Sequence, residues 1–393
     1  MALATLVCVI DTSPMKTFSR IAGVLVAVLL VLALVVRLTL GGGGRLEDRS
    51  TAPTMSFDVV EKVVDLDYPP GNIAVSAEGR VFFTLHPDGR PPVKVVELVD
   101  RKLAPWPSAE LQSEGPLAFQ TILSIRIDRQ NRLWALDFAD FGRGQPRILA
   151  FDLADGKLVH RYDFPSDVAG LGSMLNDFQV DAGGRYIFIA ETSPVLQTPA
   201  LIVYDVETQT SRRVLDGHPS VQSEDLIIQA PGRDMTLLGG LATMRIPVDS
   251  IALSRDGKWL YYGAVTGSRL YRIAAADLID ASLDDDALAA RVQDFAAKTL
   301  SDGLTTDDAG GIYLSDMEHS AVHRMDPQGK LTTLLADDRL RWPDGFSFGP
   351  DGWLYVTCSA LQHVLFLGDD DIRSHAPYQI YRFRPGHTAL AGH

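Results

Sequence analysis

Three observations predict that this chain is all-β, a six-bladed β-propeller with four-stranded blades, preceded by an N-terminal membrane segment. One hairpin pattern recurs six times, strand-like runs with polar turns follow each copy, and a long apolar stretch stands near the N-terminus. The 393 residues are 46% hydrophobic, 22% charged and 8% aromatic. That is globular composition with apolar mass for a large core, and it excludes a disordered, collagen-like or purely coiled-coil chain. The formal net charge is −14 and basic residues nowhere cluster, so nucleic acid is not an expected partner. With two cysteines, Cys8 and Cys358, a disulfide framework and a four-thiolate zinc site are excluded.

The N-terminal run Ile21 to Val36, IAGVLVAVLLVLALVV, follows Lys16 and Arg20 and precedes Arg37. Extended to Leu40 across one snorkelling arginine, it meets the roughly 20 residues that a spanning helix needs. Val35-Val36-Arg37 lacks a small-x-small cleavage pattern, which favours an uncleaved signal anchor at 21–40 over a signal peptide. The basic flank then predicts a cytoplasmic 1–20 and an exported body, periplasmic or extracellular. Met15-Lys16-Thr17 makes a more natural start than Met1, so 1–14, Cys8 included, reads as a mis-called start. Gly41 to Gly44 precedes no Lys-Ser/Thr and follows no strand, so it is not a phosphate loop. Residues 41–56 read as a linker.

From 57 to 393 the repeat governs. NIAVSAEGRVFFT, SIRIDRQNRLWALD, DFQVDAGGRYIFIAE, SIALSRDGKWLYYG, GLTTDDAGGIYLSD and GFSFGPDGWLYVTC begin at Asn72, Ser124, Asp177, Ser250, Gly303 and Gly345. Each is a short alternating strand, a turn rich in Asp, Gly or Asn, and a second strand with aromatic residues, which is a hairpin signal. Runs such as RILAFDL, ALIVYDV, SRLYRI and AVHRMD supply third and fourth strands. Intervals of 42 to 73 residues bracket the length of a four-stranded blade. Two decorations break the repeat: Pro219 to Ile246, read as an outer hairpin, and Ala275 to Leu300, whose ASLDDDALAARVQDFAAK has helical spacing. Phe57 to Leu66 and Gln379 to Phe383 are the expected closing strands.

In a propeller the loop entering each innermost strand delivers side chains to one mouth of the central channel. The residues just before the aligned starts are Gly71, Leu123, Asn176, Asp249, Asp302 and Asp344. Four of these six bear oxygen and three are potential anions. Carboxylates converging on one axis repel unless a cation, a proton or a cationic ligand compensates them. Asp and Asn before a strand also serve as ordinary turn residues, as Asp256, Asp308 and Asp351 are expected to do in their hairpins. Asn176, Asp249 and Asp302 are therefore candidate metal ligands, Asp344 and Asp177 candidate ligand-binding groups.

Other motifs point to structure. His319 and His323 lie in a strand-and-loop pattern without the helical Glu of a zinc protease and read as satisfied surface histidines. Ser173 in GLGSMLND lacks the strand-turn-helix context of a nucleophile elbow. The five tryptophans mostly fall at repeat positions and read as blade core.

LWALDFAD, LNDFQVDAGGRYIFIAETS with ALIVYDVETQTSRRVLDGHPSV, SIALSRDGKWLYYGAVTGSRLYRI, SDGLTTDDAGGIYLSD and WPDGFSFGPDGWLYVTCSALQ carry a resemblance over roughly residues 60 to 370. In that order and spacing the chain resembles the bacterial branch of the Yellow and major royal jelly protein family. The resemblance implies a six-bladed propeller, in agreement with the repeat. For activity it implies several classes, since the family includes enzymes acting on dopachrome, salivary binders of biogenic amines and proteins without known chemistry. His218 of the HPSV segment recurs in the Yellow pattern, but no physical argument brings it to the axis.

A more distant likeness is to the calcium-dependent gluconolactonase and senescence-marker family, whose metal ligands occupy one loop position in successive blades. It implies calcium on Asn176, Asp249 and Asp302, with Asp302 also the catalytic base toward water as the cation polarises a lactone carbonyl. The family's fourth ligand is a Glu where this chain has Gly71, a departure that Asp344 would only partly offset. Three functions compete: a propeller binding a small polar or cationic molecule at the acidic mouth, a calcium-dependent lactonase or esterase, and an envelope scaffold contacting another protein through a propeller face or the 219–246 insertion.

Overall fold

The structure, a computed structural model, describes residues 14–392 except Glu114; the readings of the extreme N-terminus as a mis-called start, and of Cys8, lie outside the described residues. The chain divides into two compact units, Gly44–Met235 with Arg245–His393, and the N-terminal segment through Gly43 with Thr236–Met244.

The larger unit contains, among the described residues, six four-stranded antiparallel sheets. The innermost strands of blades one to six are Pro70–Val75, Ile122–Ile127, Leu175–Val180, Val248–Leu253, Leu304–Thr306 and Pro343–Phe348, and they pack side by side in ring order, the sixth against the first. Strand Glu61–Leu66 pairs with Tyr378–Phe383 and becomes the outer edge of blade six. The N-terminal strand thus closes the wheel with the C-terminal ones, as the two runs predicted.

Turn chemistry explains the recurrence. Asp128 Oδ1 accepts the N–H groups of Gln130 and Arg132, both at 2.9 Å, and its Oδ2 accepts Trp134 Nε1 at 2.6 Å. Asp181 and Asp307 cap their hairpins similarly. The first three strands of a blade then direct aromatic and branched residues between blades: Trp134, Phe178, Ile189 and Tyr204 are completely buried between blades two and three. A ring of this kind removes ~200 Å² from water, gross stabilisation on the order of 5 kcal/mol.

Three stretches differ from expectation. Helix is confined to Ala275–Ile279 and Asp285–Ala289, and Gln293–Ala297 is the fourth strand of blade four, because the edge of that sheet offers a ladder that outweighs local helical spacing. Pro219 to Ile246 holds two short hairpins, Gln229–Ala230 with Arg233–Asp234, and Thr236–Leu237 with Ala242–Thr243. The supposed linker is tied down: Gly44 bridges Leu226, Thr51 N–H donates to Thr333 Oγ1 at 2.8 Å, and Met55 N–H donates to Leu334 O at 2.9 Å.

In the smaller unit, helix Pro14–Thr39 carries a segment, Ile21–Thr39, of mean hydropathy 2.9 with none of it buried, long and apolar enough to cross a membrane.

Candidate functional site

The predicted site residues stand where the inner strands begin, and a recurring irregularity aims them. The ladder to the second strand slips between Pro70 and Ile73, Ile122 and Ser124, Leu175 and Phe178, Val248 and Ile251, and Pro343 and Phe346. A bulge at one repeat position turns Asn72, Asn176, Asp177, Asp249 and Asp344 out of the strict alternation. Asp302 precedes the shorter fifth strand, where Ser315 Oγ accepts the N–H groups of Asp302 and Gly303 at 3.0 and 2.8 Å. Thr84 and Thr357 take the corresponding N–H groups of Asn72 and Gly345, each at 2.9 Å. These two hydroxyls also donate across to the next blade, Thr84 to Leu123 O and Thr357 to Gly71 O, both at 2.7 Å.

Asn176, Asp177, Asp249, Asp302 and Asp344 come together. Asp249 is held well above the ordinary carboxylate range by burial and then by the charges of Asp302, Asp177 and Asp344, against a hydrogen bond from Asn176. Asp344 is raised by burial and by Asp302, although Ser359 Oγ donates to its Oδ2 at 2.6 Å. Asp302 is pushed to about 6 by loss of water, opposed by Trp342 Nε1, which donates to Oδ2 at 2.6 Å, and assisted by Asp177. Asp249 and Asn176 are buried, while Asp302 and Asp344 keep a partial solvent edge. Each carboxyl thus faces other carboxyls across the channel mouth.

Asp177, expected among the ligand-binding groups, is already paired. The Arg126 guanidinium, 2% exposed, meets its Oδ1 at 2.9 Å and also donates to Asn72 Oδ1, while Ser124 Oγ donates to Asp177 at 2.7 Å. Burial still leaves the Asp177 carboxyl raised, with Arg126 opposing. Sequence reasoning missed Arg126; the signal was a cation at an alternating position of the apolar strand SIRIDR. It also missed Trp342, assigned to the core, and Lys298, a buried amine pushed down to about 7 by burial against the pull of Glu224, Asp316 and Asp302.

Two observations bear on the calcium expectation. Among the described residues no group of three or more His, Cys, Asp or Glu side chains stands close enough to hold a metal ion. At Gly71 an added Cβ would lie 2.6 Å from Thr84 Oγ1 and 3.1 Å from Leu123 Cδ1, so a Glu cannot enter without breaking the inter-blade latch. The predicted set of Asn176, Asp249 and Asp302 holds two carboxylates and one amide, oxygens of the right hardness for such an ion.

The remaining singled-out residues lie in other networks. His323 is fully buried, not at the surface: its Nε2 meets Asp316 Oδ2 at 3.0 Å, and His319 Nδ1 meets the same oxygen at 2.9 Å. That hydrogen bond raises His319 to about 9. Ser173 Oγ donates to Glu191. His218 Nδ1 meets Ser220 Oγ at 2.8 Å. On blades one to three, Met174 and Ile122 join Phe138, Phe141, His86 and Lys94 around a cavity of about 320 Å³. Its wall includes a turn, Ala139 to Gly142, with four consecutive left-handed residues, held by Asp137 Oδ1, which accepts Thr121 N–H at 2.7 Å, and by Thr121 Oγ1, which accepts Asp140 N–H at 3.0 Å.

Comparison with known proteins follows the same lines. A family model described as major royal jelly protein matches residues 120–348. The Yellow-related salivary protein M10 of Phlebotomus duboscqi is 27% identical over 190 residues, covering 44% of this chain and 47% of that protein. Major royal jelly protein 3 of Apis mellifera is 20% identical over 261 residues, covering 62% and 46%. The chain spans about half the length of these relatives. Among solved structures, a luciferin-regenerating enzyme aligns with TM-score 0.55 at 14% identity, covering 85% of this chain and 98% of that one. A calcium-binding protein, regucalcin, from Agrobacterium tumefaciens gives 0.53 at 15%, covering 84% and 98%. A gluconolactonase from Xanthomonas campestris gives 0.51 at 14%, covering 83% and 88%. Such identities establish the shared propeller, not the chemistry.

Proposed function

Because the chain belongs to the major royal jelly protein family, whose match spans more than half of it, we propose that its propeller, exported or membrane-anchored, binds a small cationic molecule, an organic amine, at the acidic mouth of the central channel. One observation carries this reading. Asp249, Asp302 and Asp344 come from three different blades, all are raised above the ordinary carboxylate range by burial first and by neighbouring carboxylates second, and none of the three makes an ion pair like that of Arg126 with Asp177 among the described residues, Lys298 acting on Asp302 only at a distance. An ammonium group among them relieves the repulsion and takes charge-assisted hydrogen bonds worth about 1.5–3 kcal/mol each.

Titration calorimetry with a panel of primary amines and their alcohol isosteres tests the proposal. The parent is expected to bind amines and not the alcohols, and Asp249→Asn, Asp302→Asn and Asp344→Asn are each expected to weaken amine binding about tenfold. Equal binding of amine and alcohol, or amine affinity unchanged in all three variants, overturns it.

A second reading, a calcium-dependent lactonase or esterase, draws support from the oxygens that Asn176, Asp249 and Asp302 contribute from three blades and from the calcium-binding regucalcin and the gluconolactonase that share the fold. It leaves Asp302 as the candidate base. Micromolar calcium binding lost in Asn176→Ala, Asp249→Ala and Asp302→Ala, together with lactone hydrolysis lost in Asp302→Ala, would put it ahead of amine binding.

A further inference from the structure

We propose that the hairpin Thr236–Met244 is a second membrane contact, seated on the exit end of helix Pro14–Thr39 and resting its Leu238 tip on the surface of a phospholipid bilayer. The inference lies outside the channel and does not depend on what binds there.

Three observations within the smaller unit carry it. First, the hairpin is bonded to the end of the helix across 201 residues of chain: Thr243 N–H donates to Leu40 O at 2.8 Å and Thr243 Oγ1 donates to Gly42 O at 2.5 Å. Second, the fit at that junction is backbone against backbone. A Cβ on Gly41 would stand 2.3 Å from Leu241 O, so the glycine run begins with the residue that allows the hairpin to approach; Gly42 and Gly43 follow with φ of 83° and 126°. The start of the run read as a linker thus serves as a socket for the hairpin. Third, the segment TLLGGLATM is devoid of charge, and Leu238 at its tip is 71% exposed.

A single exposed leucine is ordinary on a water-facing surface. Its position makes the difference here. Leu38 and Leu40 are 74% and 52% exposed, and they end a helix of which nothing is buried over Ile21–Thr39. Groups hydrogen-bonded to Leu40 and Gly42 stand within about one helical turn, ~5 Å, of the last spanning residues. That depth is the headgroup layer, where an uncharged leucine-tipped loop gains contact with acyl chains while its polar backbone meets headgroups and water. The arrangement requires that the helix be retained, because cleavage within 21–40 strips the hairpin of its seat.

The test uses the full chain with Cys8→Ser, reconstituted into vesicles of phosphatidylcholine and phosphatidylglycerol, with an environment-sensitive fluorophore on Leu238→Cys. Lys157→Cys, at a side chain 79% exposed, carries the same fluorophore as reference, and Cys358 is buried. Nitroxide lipids labelled near the headgroup are expected to quench the Leu238 probe several-fold more than the Lys157 probe, with aqueous iodide showing the reverse order. Gly41→Ala is expected to displace the hairpin and abolish the lipid quenching while the propeller stays folded. Iodide quenching equal at the two probes, lipid quenching unchanged by Gly41→Ala, or an intact mass showing that the membrane-derived protein lacks 21–40 would overturn the proposal.

Discussion

Asp302 and Asp307 flank the inner strand of blade five, Leu304–Thr306, and titrate in opposite directions. Asp307 touches no solvent, and burial alone would raise it. Arg324 Nε at 2.8 Å and the N–H groups of Ala309 and Gly311 at 2.9 and 2.7 Å outweigh burial and hold it below the ordinary range. Asp302 keeps a solvent edge, yet with Trp342 as its one side-chain donor and Asp177 opposing, it rests at about 6. Exposure does not separate these two aspartates; their neighbours do. A carboxylate surrounded by donors builds the hairpin, and a carboxylate with one donor beside another buried carboxylate keeps a raised pKa.

The contrast breaks most sharply under substitution. Asp307→Ala strips acceptors from the Ala309 and Gly311 amides and leaves the Arg324 guanidinium without its partner, an expected loss of roughly 3–5 kcal/mol in urea unfolding. Asp302→Asn is expected to stay within about 1 kcal/mol of the parent, or to gain, because it removes repulsion. Equal losses would erase the distinction. Arg126→Met is expected to resemble Asp307→Ala, at roughly 3 kcal/mol, since it leaves Asp177 buried without its cation, and Arg126→Met with Asp177→Leu should recover most of that loss.

Acid sharpens the same comparison. A carboxyl whose folded pKa is raised binds its proton more tightly when folded, so stability falls as pH rises from about 4 through about 6, the interval between the ordinary value and that of Asp302. Asp307, lowered in the folded state, contributes stability that is present above the ordinary carboxylate range and lost as pH falls below it. The free protein is therefore expected to be more stable near pH 5 than near pH 7, by a kcal/mol or so in denaturant midpoints, with Asp302→Asn flattening that slope. Amine binding should weaken below about pH 6 as the mouth protonates.

Much of this was legible in the residues, for reasons that also mark where reading stopped. The hairpin copies and the closing pair are local patterns, so blade count and closure followed from turn residues and alternation. The mouth positions followed from one offset within the repeat. Arg126 on Asp177 was not legible, because the pairing joins blades two and three and nothing adjacent in sequence announces it. Trp342 looked like core and is core, yet its indole N–H reaches Asp302. Gln293–Ala297 carried helical spacing that an open sheet edge overrode. His319 and His323 looked superficial because their shared partner, Asp316, shows only in three dimensions.

The smallest expected effect concerns the latch behind Gly71. Thr84 Oγ1 accepts Asn72 N–H and donates to Leu123 O, and it occupies the space where a Cβ on residue 71 would go. Gly71→Ala must push this hydroxyl aside, an overpacking cost of about 1–3 kcal/mol. Thr84→Ala leaves a buried N–H unpaired, at about 1–2 kcal/mol. If the two share one space, the double variant Gly71→Ala with Thr84→Ala costs less than the separate losses together, by about 1 kcal/mol in a double-mutant cycle. Strict additivity would mean that Gly71 answers to something other than the latch. In that case its place at the mouth would have to be explained by the site itself.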